Sequence, residues 1–242
     1  MLRRILSTIA NTIFFNSSRK YLEDFLRAAA VAMPAGARVL DAGAGDCRYK
    51  KLFAHTRYIA TDFGQVNKRY ALAKLDTISN LHHIPMASGG FDFVICTQVL
   101  EHIPNPAVVL NELHRVLQPG GEIWLSAPLF FEEHETPYDY FRYTQFGLRH
   151  LLEAAGFQVL KLEPLEGYYG TLSYQCRAAA LALPLTPGAY GGGMLGVALL
   201  PAMLGMKITC ALLSIALGCL DLRYKYTQTG YCKNYTVVAI KK

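Results

Sequence analysis

Charge is scarce in this 242-residue sequence: 17% of residues are Asp, Glu, Lys or Arg, against 52% hydrophobic. The length accommodates one sizeable α/β domain plus an elaboration, and two full domains would be crowded. So apolar a chain needs something besides an ordinary core to absorb its apolar surface. The six cysteines (Cys47, Cys96, Cys176, Cys210, Cys219 and Cys232) contain no C-x-x-C pair and no zinc-like spacing with histidine, so no metal is expected. A disulfide at Cys47 or Cys96 would disrupt the glycine turn and central strand described below, which favours a reducing cytoplasm. Internal repeats are absent, which excludes a solenoid. The opening segment MLRRILSTIANTIFF has no convincing small-x-small cleavage site, and Ser7, Thr8, Asn11 and Thr12 break its apolar run, against a secretory signal.

The charge that is present sits at the ends. Residues 1–20 hold four bases (Arg3, Arg4, Arg19, Lys20) and no acid. Residues 221–242 hold Arg223, Lys225, Lys233, Lys241 and Lys242 against Asp221, so the stretch between is net acidic although the chain is +6. A nucleic-acid enzyme spreads its bases around the active face, and none is expected here as a partner. Bases beside apolar segments suit an anionic membrane surface, or else form two solvated tails. Leu2, Ile5, Leu6, Ile9 and Ile13 fall within an arc of roughly 100° on a helical wheel, which predicts an amphipathic helix over residues 1–20.

From Arg38 short β runs alternate with helical stretches, the pattern of an α/β fold with a doubly wound, mostly parallel sheet. Strands are predicted at Arg38–Ala42, Arg57–Thr61, Phe91–Cys96, Glu122–Ser126, Phe157–Leu162 and Tyr235–Ile240. Helices are predicted from the glycine turn to about His55, from Asn105-Pro106 to Leu117, and from a Thr144 cap to Gly156. The loop Asp41-Ala42-Gly43-Ala44-Gly45 lets backbone approach a ligand closely, with helix amides beyond it. The third glycine of the nicotinamide-enzyme pattern is missing, and Asp62, at the end of the second strand, suits a ribose diol.

Residues from about Arg38 to Gly167 resemble the class I S-adenosylmethionine-dependent methyltransferases, in particular the group with the V-L-E-H signature. The matching pieces are VLDAGAGDCRY, YIATDF, NLHHIPMASGGFDFVICTQVLEHIPNP, LHRVLQPGGEIWLSAP and HETPYDYFRYTQFGLRHLLEAAGF, in that order. The resemblance implies a Rossmann-like sheet whose last strand is antiparallel, and S-adenosylmethionine as cofactor. It implies that Asp41, Gly43 and Gly45 line the amino-acid half of that cofactor and that Asp62 binds the ribose. Asn80 and Leu81 would hold adenine, with Asn80 standing where the family commonly has an acid; Thr97 and Gln98 would flank the methionine portion.

Glu101 and His102 are either scaffold or substrate-side residues, Asp92 is expected to serve its loop structurally, and His82 and His83 are expected to be scaffold. The segment HETPYDYFRY follows a strand end, where open sheets bind ligands. It supplies the candidate catalytic residues His134, Tyr138, Asp139 and Arg142, with His134 first choice as base because its ordinary pKa lies near neutrality. These residues could instead only hold the loop on the domain.

Between the last two strands roughly 70 residues are inserted, far beyond ordinary loop lengths. The apolar stretch Met194–Leu220 within them is long enough for a bilayer, but Pro201 and Lys207 interrupt it. Lys207, Ser214, Gly218 and Asp221 share one helical face. A helical hairpin dipping into one leaflet, a buried or oligomer-forming surface, and a true span are the three readings. The expected organisation is a helix over 1–20, a cofactor-binding core over 21–167, an apolar helical insert over 168–230 and a final core strand over 231–242. The expected function is methylation, with a hydroxyl as acceptor, of a lipid-linked, glycan or other amphiphilic small molecule at the inner face of the membrane. A methyltransferase-like scaffold without turnover is the alternative, and a nicotinamide-dependent oxidoreductase is a distant third.

Overall fold

The computed structural model describes residues 17–64 and 74–242. The amphipathic segment with Leu2, Ile5, Leu6, Ile9 and Ile13 lies outside them. The chain forms two compact units: residues 21–165 with 233–242, and residues 166–232 with 17–20.

The larger unit is a seven-stranded sheet, β1 (Arg38–Ala42), β2 (Arg57–Asp62), β3 (Thr77–Ile78), β4 (Phe91–Thr97), β5 (Leu117–Pro128), β6 (Phe157–Pro164) and β7 (Asn234–Lys241). The order is β3-β2-β1-β4-β5-β7-β6. The strands from β3 to β5 pair in parallel, and β7 lies antiparallel between β5 and β6. The last two strands thus form the expected pair at one edge. Because β1, β2 and β4 are parallel, their carboxyl ends share one edge of the sheet, and the strand order reverses between β1 and β4. That is the switch point where open α/β sheets bind ligands.

Helix α1 (Ser17–Ala32), which the sequence pattern did not reveal, covers one end of the core. Its Leu22, Phe25, Leu26, Ala29 and Ala30 recur at helical spacing and pack with Met33 on Val39, Phe53 and Ile95. Helix α2 (Pro106–Val116) starts on a proline whose missing N–H costs nothing at N1, and it buries Val109, Leu110, Leu113 and Val116. Helix α3 (Gln145–Ala154) is capped as expected, the Thr144 hydroxyl accepting from the Gly147 amide at 3.1 Å.

Two expectations need correction. The helix predicted up to His55 is only a 3-10 turn, Lys50–Phe53. The strand predicted to start at Glu122 begins at Leu117: Phe91 pairs with Leu117 and Phe93 with Glu122, so the Pro119-Gly120-Gly121 turn bulges out of a continuing strand. Asp92 serves the scaffold, accepting from the Arg38 backbone amide and from its guanidinium, both at 2.7 Å. Lys241, one of the terminal bases, is also structural: its ammonium donates to the carbonyls of His114 and Leu117 at the end of α2. Lys233 is buried, 4.6 Å from the Phe131 ring centroid.

The smaller unit contains α4 (Tyr168–Ala182) and α5 (Gly193–Arg223), a single 31-residue helix with Pro201 inside it. Their contacts run in opposite order along the two helices, so they form an antiparallel hairpin. The Gly167 amide donates to Asp221, the Ser173 hydroxyl to the Ser214 carbonyl, and the Lys207 ammonium to the carbonyls of Leu181 and Leu183. Lys207 therefore serves the unpaired carbonyls at the C-terminal end of α4, where a cation is favoured. Gly170 is required by proximity, since a Cβ there would lie 2.5 Å from Asp221 Oδ2. The polar stripe of α5 thus faces α4, with Ser214, Gly218 and Asp221 buried. Its large apolar side chains point outward instead, Met194 at 91%, Leu195 at 66% and Leu212 at 63% exposure. This is the reverse of a helix that packs on a soluble core.

Candidate active site

The carboxyl ends of β1, β2 and β4 open into a cavity of about 290 Å³. It is lined by Gly43, Gly45, Asp62, Asn80, Leu81 and Gln98 on one side and by His102, Glu135, Tyr138 and Tyr140 on the other. The glycine loop thus shares the cavity with His102 and the HETPYDYFRY segment.

The glycine loop is laid over the end of β2. The amides of Gly43 and Ala44 both donate to the Thr61 carbonyl, at 2.9 and 3.0 Å. The Gly45 amide donates to Asp62 Oδ2 at 3.0 Å and the Gly64 amide to Oδ1 at 2.9 Å. A carboxylate offers about four acceptor sites, so these two bonds fix Asp62 and still leave capacity for a diol. Gly43 has φ +86°, and a Cβ there would meet Val99 Cγ2 at 2.3 Å. The cradle is therefore one that any side chain at position 43 would fill.

Asp41 is buried one step deeper, bonded to the Tyr58 hydroxyl, and does not line the cavity. Burial pushes its carboxyl up to about 6 against the opposing effect of that hydroxyl, while raising the Tyr58 phenol as well. The folded protein thus keeps a proton on Asp41 that an unfolded chain releases near pH 4. The stabilisation is full below pH ~4 and is lost as pH rises through about 6, a swing of ~3 kcal/mol. We expect the stability difference between the wild type and Asp41→Asn to fall by ~2–3 kcal/mol between pH 4 and 7 in urea denaturation. A difference that stays flat over this range would contradict the assignment.

Asn80 shapes its own loop. Its Oδ1 accepts from the His82 amide at 3.0 Å and lies 2.8 Å from His82 Nδ1. Both lone pairs of the side-chain carbonyl are engaged, so the acceptor capacity expected for adenine is used within the loop. Thr97 ends β4 and is not on the cavity wall. Gln98 is on it, held at φ +55° by the Ser126 carbonyl and hydroxyl, at 2.9 and 3.1 Å. Gln98, Glu135 and Cys47 are the described non-glycine residues at positive φ. Two of these three, Gln98 and Glu135, line the cavity, and such strain is characteristic of functional sites.

The lid is built around two clamps. The Glu101 carbonyl accepts from the amides of Tyr140 and Phe141, and the Leu100 carbonyl from the Tyr143 hydroxyl at 2.8 Å. Within the lid, Arg142 makes a fork to Asp139, at 2.7 and 2.8 Å, and donates to the carbonyls of Phe131 and Glu132. Asp139 also accepts from the His134 amide at 2.8 Å. The Arg142 guanidinium holds the Asp139 carboxyl well below the usual carboxylate range.

Of the four candidate catalytic residues, Tyr138 reaches the cavity wall, while Asp139 and Arg142 brace the lid from within. His134 lies behind His102, ring centroids 4.7 Å apart and edge-on. Burial, with His102 beside it, lowers its pKa. His102, open between scaffold and substrate side in the sequence, lines the cavity, and so does His82, expected there to be scaffold. Val99 and Tyr140 also line it, and their only signal in the sequence is position, immediately after β4 and within the lid.

A known family described as methyltransferase domain matches residues 40–125. A Mycolicibacterium smegmatis protein described as a probable S-adenosylmethionine-dependent methyltransferase is 32% identical over 137 residues, 52% of this chain and 53% of the relative. A Pseudomonas aeruginosa ubiquinone biosynthesis O-methyltransferase is 32% identical over 103 residues, 38% of this chain and 44% of its own length. The chain therefore spans about half the length of the curated relatives it matches. Among solved structures, an S-adenosylmethionine-dependent methyltransferase from Archaeoglobus fulgidus superposes with a TM-score of 0.57 at 15% identity, covering 92% of this chain and 94% of the other, and shares the fold.

Proposed function

We propose that this chain, which carries a class I S-adenosylmethionine-dependent methyltransferase domain, methylates a hydroxyl of a lipid-linked, glycan or other amphiphilic small molecule at a membrane surface. The observation that carries the reading is the single cavity with cofactor-loop residues on one wall and His102, Glu135, Tyr138 and Tyr140 on the other. When bound, S-adenosylmethionine supplies an electrophilic methyl group. Asp62 binds the ribose diol, the Gly43–Gly45 backbone receives the amino-acid half, and Leu81 packs against the base. Tyr138 and Glu135 position the acceptor, and the His102 imidazole on the cavity wall takes its proton. The hydroxyl preference draws support from the O-methyltransferase relative. The direct test is S-adenosylhomocysteine binding by calorimetry, followed by single-turnover assays with extracted lipids.

A second reading, a scaffold that binds cofactor without turnover, is favoured by one observation, the engagement of the Asn80 carbonyl within its own loop. Binding without transfer to any acceptor would select it.

For the membrane, the support is α5. It is the one described helix long and apolar enough to cross a bilayer, yet 11% of its most apolar window is buried. Arg223 and Lys225 stand at its end beside a group of tyrosines, Tyr168, Tyr169, Tyr224, Tyr226 and Tyr231, with neighbouring ring centroids 5.6–6.5 Å apart. Tyrosine with basic residues is the composition of a membrane interface. The hairpin docks in the inner leaflet from the cytoplasmic side. We expect the protein to float with anionic liposomes, and Leu212→Glu with Leu213→Glu to weaken partitioning at least tenfold, ~1.4 kcal/mol. A detergent-free protein that stays soluble, or forms a stable dimer, and does not float would overturn the docking.

A further inference from the structure

Beside the cavity, Glu101, His102 and His134 bring one donor atom each within 4.8 Å of one another. Glu101 is fully buried, and neither of its carboxylate oxygens has a hydrogen-bond partner among the described residues. An ionisable group buried in that way is costly unless something else meets it. Only its backbone carbonyl is used by the lid.

Both imidazoles are already oriented for a shared task. His102 Nδ1 lies 2.6 Å from the Tyr138 carbonyl, and His134 Nδ1 lies 3.1 Å from the Glu132 carbonyl. A carbonyl only accepts, so each Nδ1 is the donor and Nε2 is the ring nitrogen left for a metal. Asp139 Oδ2, 3.2 Å from His134 Nδ1, adds a carboxylate on the same side of that ring. Carbonyl and carboxylate partners of this kind orient metal-ligating histidines through the nitrogen that does not bind the metal. On the other nitrogen, His102 Nε2 is 3.9 Å from Glu101 Oε1 and 3.8 Å from Glu135 Oε2.

We propose that Glu101, His102 and His134 form a binding site for one divalent first-row transition cation. Two imidazoles and a carboxylate suit zinc, iron or nickel better than magnesium or calcium. Bond lengths of about 2.0–2.2 Å require the donors to draw together by roughly 1–1.5 Å, within the reach of side-chain torsions. Three protein ligands leave coordination positions open, and His102 lies on the cavity wall. With a cation bound, both Nε2 lone pairs are committed and the cation lowers the pKa of an acceptor hydroxyl in their place. That consequence rests on the methyl-transfer reading; the cation site does not. The spacing of the three residues matches no local metal pattern, because the lid supplies His134 from the far side of β5.

The test uses the full chain stripped with chelator, titrated with Co²⁺ and followed by visible absorption, with Zn²⁺ uptake measured by elemental analysis after dialysis. One equivalent is expected. Glu101→Gln and His134→Ala should each weaken uptake at least tenfold, since even loss of an outer partner costs about 10–100-fold. His150→Ala, an exposed histidine outside the cluster, should bind like the wild type. Circular dichroism and S-adenosylhomocysteine binding verify each fold; if Glu101→Gln does not fold, His134→Ala, with a side chain 25% exposed, decides alone. No uptake by the stripped wild type, or equal uptake by His134→Ala, overturns the proposal.

Discussion

Gly43→Ala is expected to lower affinity for S-adenosylhomocysteine at least 100-fold while the sheet stays folded. Two independent costs combine at this residue. The backbone holds φ +86°, where a side chain is strained by roughly 1–2 kcal/mol. The new methyl would also lie 2.3 Å from Val99 Cγ2 and 2.9 Å from Cγ1. Val99 is β-branched and cannot swing away by rotating a long side chain, so either it or the loop must move. Both line the cavity or its floor, so either movement distorts the cradle, and ~2.8 kcal/mol corresponds to the 100-fold loss. The double variant Gly43→Ala, Val99→Ala should recover part of the affinity, because it relieves the clash and keeps the strain. Isothermal calorimetry on the three proteins checks this, and a Gly43→Ala protein that binds within threefold of the wild type would show that the glycine is not the cofactor cradle.

Arg142→Ala carries the second large effect. Asp139, with 3% of its side chain exposed, would be left as a buried carboxylate without its guanidinium fork. Breaking such a pair from one side costs about 3–5 kcal/mol, and the 24% exposure of Arg142 places the loss toward the lower figure. The same substitution frees the carbonyls of Phe131 and Glu132 that Arg142 holds, so the damage concentrates in the lid. We expect faster proteolysis between residues 131 and 142, S-adenosylhomocysteine affinity within about threefold of wild type, and turnover at least 100-fold lower, comparable to a ~1 Å misplacement of positioning groups. Arg142→Lys should be intermediate, since an ammonium cannot reproduce the fork. Equal loss of cofactor affinity and turnover would argue against a lid that acts on the acceptor alone.

The glycine-loop side of the cavity was legible because its placement is local. Gly43, Gly45 and Asp62 stand at strand ends that periodicity locates, and backbone geometry restricts the residue types allowed there. The acceptor half was not, because it depends on which side chains turn inward. His134, Asp139 and Arg142 read as reactive residues, yet two of them hold the lid by an ion pair that no spacing reveals. His102 could be scaffold or substrate contact until the lid was seen to fold over it. Asn80 illustrates a third kind of difficulty: the family resemblance implied a ligand contact there, and its side chain closes a turn. Helix α1 escaped notice although Leu22, Phe25, Leu26, Ala29 and Ala30 carry a helical period, because the helix straddles the boundary expected at residue 20 between the terminal helix and the core. In α5 the sequence located the polar stripe correctly but could not say which way it faced. Its inward orientation, against α4, is what leaves the apolar surface outside.

The central claim is transfer of a methyl group to an amphiphilic acceptor, and S-adenosylmethionine carrying a CD₃ group tests it most directly. The full chain is incubated with this cofactor and total membrane lipids, and the products are resolved by mass spectrometry. The expected products are S-adenosylhomocysteine and a lipid or glycolipid bearing one CD₃ on oxygen, both missing with Gly43→Ala. Tight binding of S-adenosylhomocysteine with no labelled acceptor and no turnover would contradict it.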